Sequence, residues 1–564
     1  MHRRQLLVAL GLAGLTAGCA GVPTSGPVAR VSADPGRINP GVEIAPAPPD
    51  RNASPGEVVE GFLHAMASWQ PDYGVARTYL TERANETWNP SAGVRIYAEG
   101  NPVSSTDTGA RLVAPIVGTL DAAGSYHQST GQLEHDFGLV QVADQWRIDS
   151  PPEGLIVSEY LFSSAFTRVV VYHWAPGREW LVPDPRFFPR GAYALEGAVR
   201  AVTADPPSWL APGLDHQLLL VGFASAHIDS TGVVQVRLER LGPDLDDVAR
   251  RQLVARLVWT LRPFENATGV EVAWTDGIPW QVDTYTRAVP LDAFPAADPQ
   301  DRQTSRQLFA VVGGRVVRAM EGAGGLESIP AAPGLEGVSF AAVRPDALQV
   351  AAVTGDRTAL VTAPMSEPGS QLVASAIGLR RPHYARQGEL WVVDDRGTIS
   401  AVLADGTWVT ASIAGMGDGR VSVLRLAPDG VLVALVIEQP GGTSSVAVGV
   451  VSRIGTQLAI EGVRQLSVSD SIAARAVRDV GWRTADTLMV LTTDGHSSIV
   501  MSLAQDGSTI APIGPSGEDN LVELAVAPGV MPLVRRANGE VLRYNADFRW
   551  STLRATVSSL FYPG

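Results

Sequence analysis

The spacing of apolar positions changes character several times along the chain. After Met1-His2-Arg3-Arg4 an apolar stretch runs from Leu6 to Leu15, too short to span a bilayer. From Ala20 to Ala53 Pro, Gly, Ser and Ala dominate, Pro46-Ala47-Pro48-Pro49 included, and periodicity is lost. Order returns at Ser54-Pro55-Gly56-Glu57, where Ser at the N-cap and Glu three residues on form a capping box with proline at the first helical position. Val58, Val59, Phe62, Met66 and Trp69 follow at helical spacing, so a helix opens the folded body.

A second short helical stretch is expected near Tyr73 to Leu80. Strand-like runs come next: Val94 to Tyr97, Arg111 to Leu120, Tyr126 to Thr130, His135 to Val142 and Gln145 to Ile148. Helices followed by a curved antiparallel sheet that closes on Trp146-Arg147-Ile148 resemble the NTF2-like cone, expected over residues 54–153. Pro151-Pro152 marks a boundary. Beyond it strands and helices alternate: Arg168 to Trp174, a helix from Ala192 to Val202, Gln217 to Phe223, Val233 to Leu238, a helix from Asp246 to Leu261, and Val270 to Trp274. Leu181-Val182-Pro183-Asp184-Pro185-Arg186, the proline-rich stretch from Pro206, and Val258-Trp259-Thr260-Leu261 resemble the GerMN domain, an α+β binding or assembly module, expected over 160–290.

From Gln307 to Leu553 the pattern is short strands and turns. Ala342-Val343-Arg344-Pro345-Asp346, Ala385-Arg386-Gln387-Gly388-Glu389, Leu426-Ala427-Pro428-Asp429-Gly430, Trp482-Arg483-Thr484-Ala485-Asp486 and Val526-Ala527-Pro528-Gly529 each precede an apolar strand. With a partial repeat at Leu308 to Ala319, they predict a five- or six-bladed β-propeller over 305–560; a pair of β-sandwiches is the alternative.

The 564 residues exceed one core, and length alone predicts about three or four domains. The basic start, apolar stretch and small residues before Cys19 form the three-part layout of a secretory signal, residues 1–18. Leu15, Thr16, Ala17, Gly18 and Cys19 resemble the bacterial lipobox, with Thr16 three places before the Cys and Leu15 one place too early. Cys19 is then the lipidated residue. An ordinary secreted protein is the alternative, and Arg3-Arg4-Gln5-Leu6-Leu7 leaves the Sec and twin-arginine routes both open. Residues 19–53 read as a tether that reaches roughly 100 Å when extended at ~3.1 Å per residue. Cys19 is the one cysteine, which excludes intrachain disulfides and cysteine catalysis. The expected location is the outer side of the cell membrane, the body being held there by the palmitate-bearing anchor.

Formal net charge is −14, two units more negative once Arg3 and Arg4 leave with the signal, which disfavours nucleic acid and anionic lipid. All 44 basic residues are arginine. Without lysine, P-loop, protein-kinase, Ser-Lys and Schiff-base chemistries are excluded. The nine histidines are scattered without metal-ligand spacing, so no metal and no cofactor are expected. His127, His135 and Asp136 read as strand positions, Gly415-Met416-Gly417-Asp418-Gly419 as a turn, and Asp394-Asp395 and Asp246-Asp247 as solvated charges. No catalytic residue is assigned and the protein reads as a non-enzyme, an envelope hydrolase or dehydrogenase being the rival.

Cys19-Ala20-Gly21-Val22-Pro23-Thr24-Ser25-Gly26-Pro27-Val28, Ser54-Pro55 leading into Val58-Val59-Glu60-Gly61-Phe62-Leu63, and the order of the modules resemble the actinobacterial lipoprotein LpqB family across essentially the whole chain. That resemblance implies a lipid-anchored accessory to the MtrAB two-component system that binds the extracellular part of the sensor kinase MtrB and affects cell-wall metabolism and division. A peptidoglycan- or glycan-binding lipoprotein is the alternative partner reading. Substituting Cys19→Ala is expected to move the protein from the detergent-rich to the aqueous phase of a Triton X-114 partition.

Overall fold

The computed structural model describes residues 46–68, 71–215, 220–300, 304–322, 325–468, 476–518, 520–546 and 548–564. The signal peptide, Cys19 with Leu15 to Gly18, most of the tether, Trp69 and the start of the strand expected at Gln217 lie outside them.

The capping box forms as read: Glu57 N–H donates to Ser54 Oγ at 3.4 Å, and the Ser54 amide donates to the Glu57 carboxylate at 2.7 Å. The helix Pro55–Ala67 that follows buries Val58, Val59, Phe62, Leu63 and Met66. Phe62 is fully buried, its ring within 6.4 Å of those of Tyr79, Trp88 and Phe137. The helix lies on a sheet ordered Val103–Ser105, Ala110–Leu120, Val94–Tyr97, Leu155–Ser158. Two expectations change here. Leu155–Ser158 completes the sheet by running parallel to Val94–Tyr97, whereas Gln145–Ile148 pairs with Leu139–Val142 in a separate hairpin. The single strand expected from His135 to Val142 is two, because Gly138 takes φ 55° and its amide is held by Asp136 Oδ1 at 3.0 Å.

The next elements begin with the ribbon of Phe166–Trp174 and Leu181–Pro189. Pro183, Pro185 and Pro189 share one parity, so their missing N–H groups fall on the edge away from Phe166–Trp174 and the ladder survives. Val233–Arg240 and Gly269–Trp274 pair in parallel, joined through the helix Asp247–Leu261, which Asp246 caps by accepting from the Ala249 amide at 2.7 Å. This helix is buried continuously from Leu253 to Leu261, more widely than the one face its spacing predicts. It packs against both the ribbon strand Phe166–Trp174 and Gly269–Trp274.

Six sheets of four or five strands make a six-bladed propeller among the described residues, which decides between five and six. The innermost strands are Ser559–Phe561, Val338–Val343, His383–Tyr384, Arg420–Leu426, Ala476–Trp482 and Leu521–Ala525. The recurring turns noted in the sequence join these innermost strands to their neighbours. Ser559–Phe561 closes the ring by pairing with Leu308–Val312 at the other end of the repeat region. Phe561 and Phe309 face one another in this pair, both fully buried, with rings 6.1 Å apart.

The ribbon and the propeller share one apolar core. Ala175, Trp180, Val182 and Leu210 pack with Val431, Leu432, Val450, Trp482 and Leu488 of the fourth and fifth blades. Polar contacts surround this seam: Trp180 Nε1 donates to the Asp429 carbonyl at 2.8 Å, Gln505 Nε2 to Pro183 O at 3.0 Å, and Arg168 to Asp486 at 2.7 Å. Gln128 adds a clasp from the first sheet, accepting from the Ser467 amide at 2.7 Å and donating to Gly507 O at 2.9 Å. Gly462 sits at φ 58° with Trp209 O only 2.2 Å from where a Cβ would be, so no other residue fits there. Phe561→Ala is expected to destabilise the body by about 3–5 kcal/mol, read as a lower midpoint in chemical denaturation.

Candidate functional site

Innermost propeller strands present alternate side chains to a central channel. Four of them carry a register shift at one level, between Val338 and Phe340, Val421 and Val423, Val477 and Asp479, and Leu521 and Glu523. The residue after each shift lines the channel, together with Arg381 of the third blade. Phe340, Arg381, Val423, Asp479 and Glu523 therefore form one layer. Arg425 and His383 lie a level further along, where the channel opens into a cavity of about 570 Å³.

That layer is held by buried ion pairs. Arg381 meets Glu523 at 3.4 Å, Arg535 meets the same carboxylate at 2.7 Å, and Arg425 meets Asp479 at 3.2 Å. Glu523 also accepts from Ser559 Oγ at 2.6 Å and from the Leu560 amide at 3.2 Å, so the ring-closing strand is clamped to the sixth blade. Asp479 accepts from the amides of Val480 and Leu524, both at 2.9 Å.

The cavity is roofed by Trp259 and Asp298, which precede the propeller in sequence, and walled by the recurring turns, including Pro345, Arg386, Pro428 and Pro528. Arg386 lies 4.1 Å from the Trp180 ring centroid and donates to Asp298 O at 3.0 Å. Burial, then the charges of Arg425 and Arg381, pushes the His383 imidazole down to about 3, so it is neutral.

A second polar group lies outside the channel. His173 Nε2–H donates to Asp184 at 3.0 Å, and Nδ1 accepts from Arg256 at 3.2 Å; because arginine only donates, the tautomer is determined. Arg186 completes the group, donating to Asp184 at 2.9 Å and to Ala123 O of the first module at 2.8 Å. A His–Asp pair of this kind suits general-base chemistry only beside a nucleophile and substrate space. Here both residues are nearly fully buried and both ring nitrogens are occupied, so the pair fastens modules together.

Residues 48–163 match the family described as Lipoprotein LpqB, N-terminal domain, and residues 314–563 match Lipoprotein LpqB beta-propeller domain. A "Lipoprotein LpqB" of Cutibacterium acnes is 31% identical over 99% of this chain and 98% of its own length. One of Mycobacterium tuberculosis is 27% identical over 99% and 98%. The chain belongs to the LpqB lipoprotein family.

Among solved structures, TolB from Acinetobacter baumannii is similar over 52% of this chain and 82% of its own, at 14% identity and TM-score 0.35. YCF48 bound to D1 peptide is similar over 41% and 73%, at 16% and 0.30. Both likenesses are too distant to bear on function. The LpqB relatives are named as lipoproteins and not for a reaction, and no helix among the described residues is long and apolar enough to cross a membrane.

Of the residues singled out in the sequence, Cys19 and Leu15 to Gly18 lie outside the described residues. His127 lies 3.7 Å from Asp121, and His135 bonds Ser150 O at 2.9 Å. Asp394 caps a turn by accepting from the Arg396 and Thr398 amides, and Asp395 pairs with Arg357 and Arg380. Gly415 and Gly417 take positive φ in a turn between propeller strands. None of these converges on one cavity. His383 is one of the nine scattered histidines, and nothing in the sequence singles out Arg381 or Arg425, although all three lie only a few residues before a recurring turn.

Two buried groups respond to pH in opposite senses. Asp429 is fully buried, and its Oδ1 accepts from the amides of Val431 and Leu432 at 2.7 and 2.8 Å, while Oδ2 has no protein partner. Burial raises this carboxyl from 3.8 to about 7, so its contribution to stability is full below pH 3.8 and lost as pH rises to about 7. His173 is the reverse case: burial, against Asp184 but aided by Arg256, lowers it from 6.5 to about 4, so its contribution is full above pH 6.5 and lost as pH falls toward 4. Asp429→Asn is expected to raise the melting temperature at pH 8 and leave it unchanged at pH 4, as checked by calorimetry.

Proposed function

We propose that the protein is a lipid-anchored extracytoplasmic accessory that binds the extracellular part of an MtrB-like two-component sensor kinase and so modulates cell-wall metabolism and division. The reading rests on one observation above all, the relation to LpqB lipoproteins over 99% of the chain and 98% of the relative. Anchoring is assigned to Cys19, and the globular modules supply the contact surface. Their shared core supports a binding role, because a rigid platform meets a partner without the entropy of ordering separate domains.

The glycan-binding alternative calls for exposed aromatic platforms. Every described tryptophan is buried or half-buried, several donating Nε1 inward as Trp259 does to Phe294 O at 3.1 Å, and Tyr160 alone of the tyrosines is exposed, so no exposed tryptophan or tyrosine pair lines a groove among the described residues. That favours a protein partner over a sugar chain.

Affinity capture from actinobacterial membranes, with the full-length protein as bait and mass spectrometry as readout, checks the proposal. The sensor kinase is expected among the captured proteins, and its isolated extracellular domain is expected to bind the bait directly. Capture without any kinase, or no direct binding, overturns it.

A further inference from the structure

Four arginines, Arg306, Arg381, Arg386 and Arg425, line the channel-mouth cavity with one acidic side chain, Asp298, among the described residues. The acids beneath the cavity do not restore the balance. Glu523 is shared among Arg381, Arg535, Ser559 and the Leu560 amide, and Asp479 among Arg425 and two amides. Two carboxylates thus serve three guanidinium groups at the waist, and their lone pairs are directed to the strands.

The excess has visible consequences. Burial, and then the charge of Arg425, brings Arg381 down to about 10; burial, and then the same two arginines, keeps His383 neutral. Cations crowded into a partly desolvated space are stabilised by an anion placed between them. Arginine suits this role because its planar fork can offer two parallel N–H donors to a carboxylate or phosphate.

The remaining wall sets the rest of the ligand. The half-buried turn prolines Pro345, Pro428 and Pro528 give apolar surface around the cationic floor, and the largely buried Trp259, Tyr384 and Trp482 complete the wall. The volume, about 570 Å³, falls within the range for small organic ligands, roughly 300–1,000 Å³.

We propose that this cavity is a binding site for a small organic anion, a carboxylate or phosphate ester with a planar apolar body. The anionic group is set against Arg381 and Arg425, and the body lies between the tryptophan and proline walls. The site does not depend on the kinase-binding reading: its ligand meets the channel mouth, whatever protein meets the outer surface.

Isothermal titration of the full-length protein in chloride buffer tests it, using phenyl phosphate and benzoate as probes and benzyl alcohol as the uncharged control. Saturable one-site binding of at least one anion is expected, the tighter of the two telling phosphate from carboxylate, with no binding of benzyl alcohol. Arg425→Gln is expected to weaken binding about a hundredfold and Arg306→Gln about tenfold. The second variant leaves the Arg381–Glu523 and Arg425–Asp479 pairs in place, so it decides the matter should the first unfold. Binding of neither anion, equal binding of the alcohol, or an unchanged affinity in Arg306→Gln overturns the proposal.

Discussion

The apolar seam around Trp180 and Leu210 is the contact on which the rest of the architecture depends. A closed propeller leaves only the short outer edge of each blade unpaired, but its two faces stay open to solvent. Here the fourth and fifth blades accept the ribbon's apolar side chains as though they were part of their own core. That docking puts Trp259 and Asp298 over the channel mouth and turns an open funnel into a roofed cavity. A large aromatic such as Trp180, with its Nε1 satisfied by the Asp429 carbonyl, brings much apolar area to the contact without leaving a polar atom stranded.

Positive charge inside this protein is carried by arginine alone, and the interior is built around that limit. Arg262 donates to both Leu291 O and Ala293 O, Arg357 to both Gly378 O and Leu379 O, and Arg186 joins a carboxylate to a carbonyl in another module. A forked guanidinium holds two acceptors at once, on one segment for Arg262 and Arg357 and across two modules for Arg186, which a lysine ammonium does with far less geometric definition. Buried pairs of this kind specify how segments meet more than they add net stability. The Glu523 cluster does so for the closing strand, and His173 with Asp184 does so for the ribbon.

Local signals carried much of the fold into view. The capping box at Ser54, the helical spacing to Met66 and the repeating turns each act within a few residues, so their outcome can be read without knowing the partner surface. What stayed hidden was long-range. Nothing in Gln145–Ile148 says that it pairs with a neighbouring hairpin while Leu155–Ser158 takes the place beside Val94–Tyr97. The breadth of burial on Asp247–Leu261 follows from packing on two sides, which periodicity does not encode. The cationic cavity was invisible for the same reason: Arg381, Arg425 and Arg306 stand far apart in the chain and share a space only because the blades form a ring. Cys19 is the opposite case, a residue whose assignment rests wholly on its neighbours in sequence.

The position of Ser559–Phe561 bears on how the molecule comes into being. Ribosomes deliver Leu308–Val312 early, yet the strand that completes its blade follows about 250 residues later, a long loop to close. Until that loop closes, the edge beside Phe309 has no native cover. Any product that stops short of Phe561 keeps that edge for good. An unfinished chain therefore carries its own label, a sticky unpaired strand that a protease or chaperone can recognise, and the finished ring erases it.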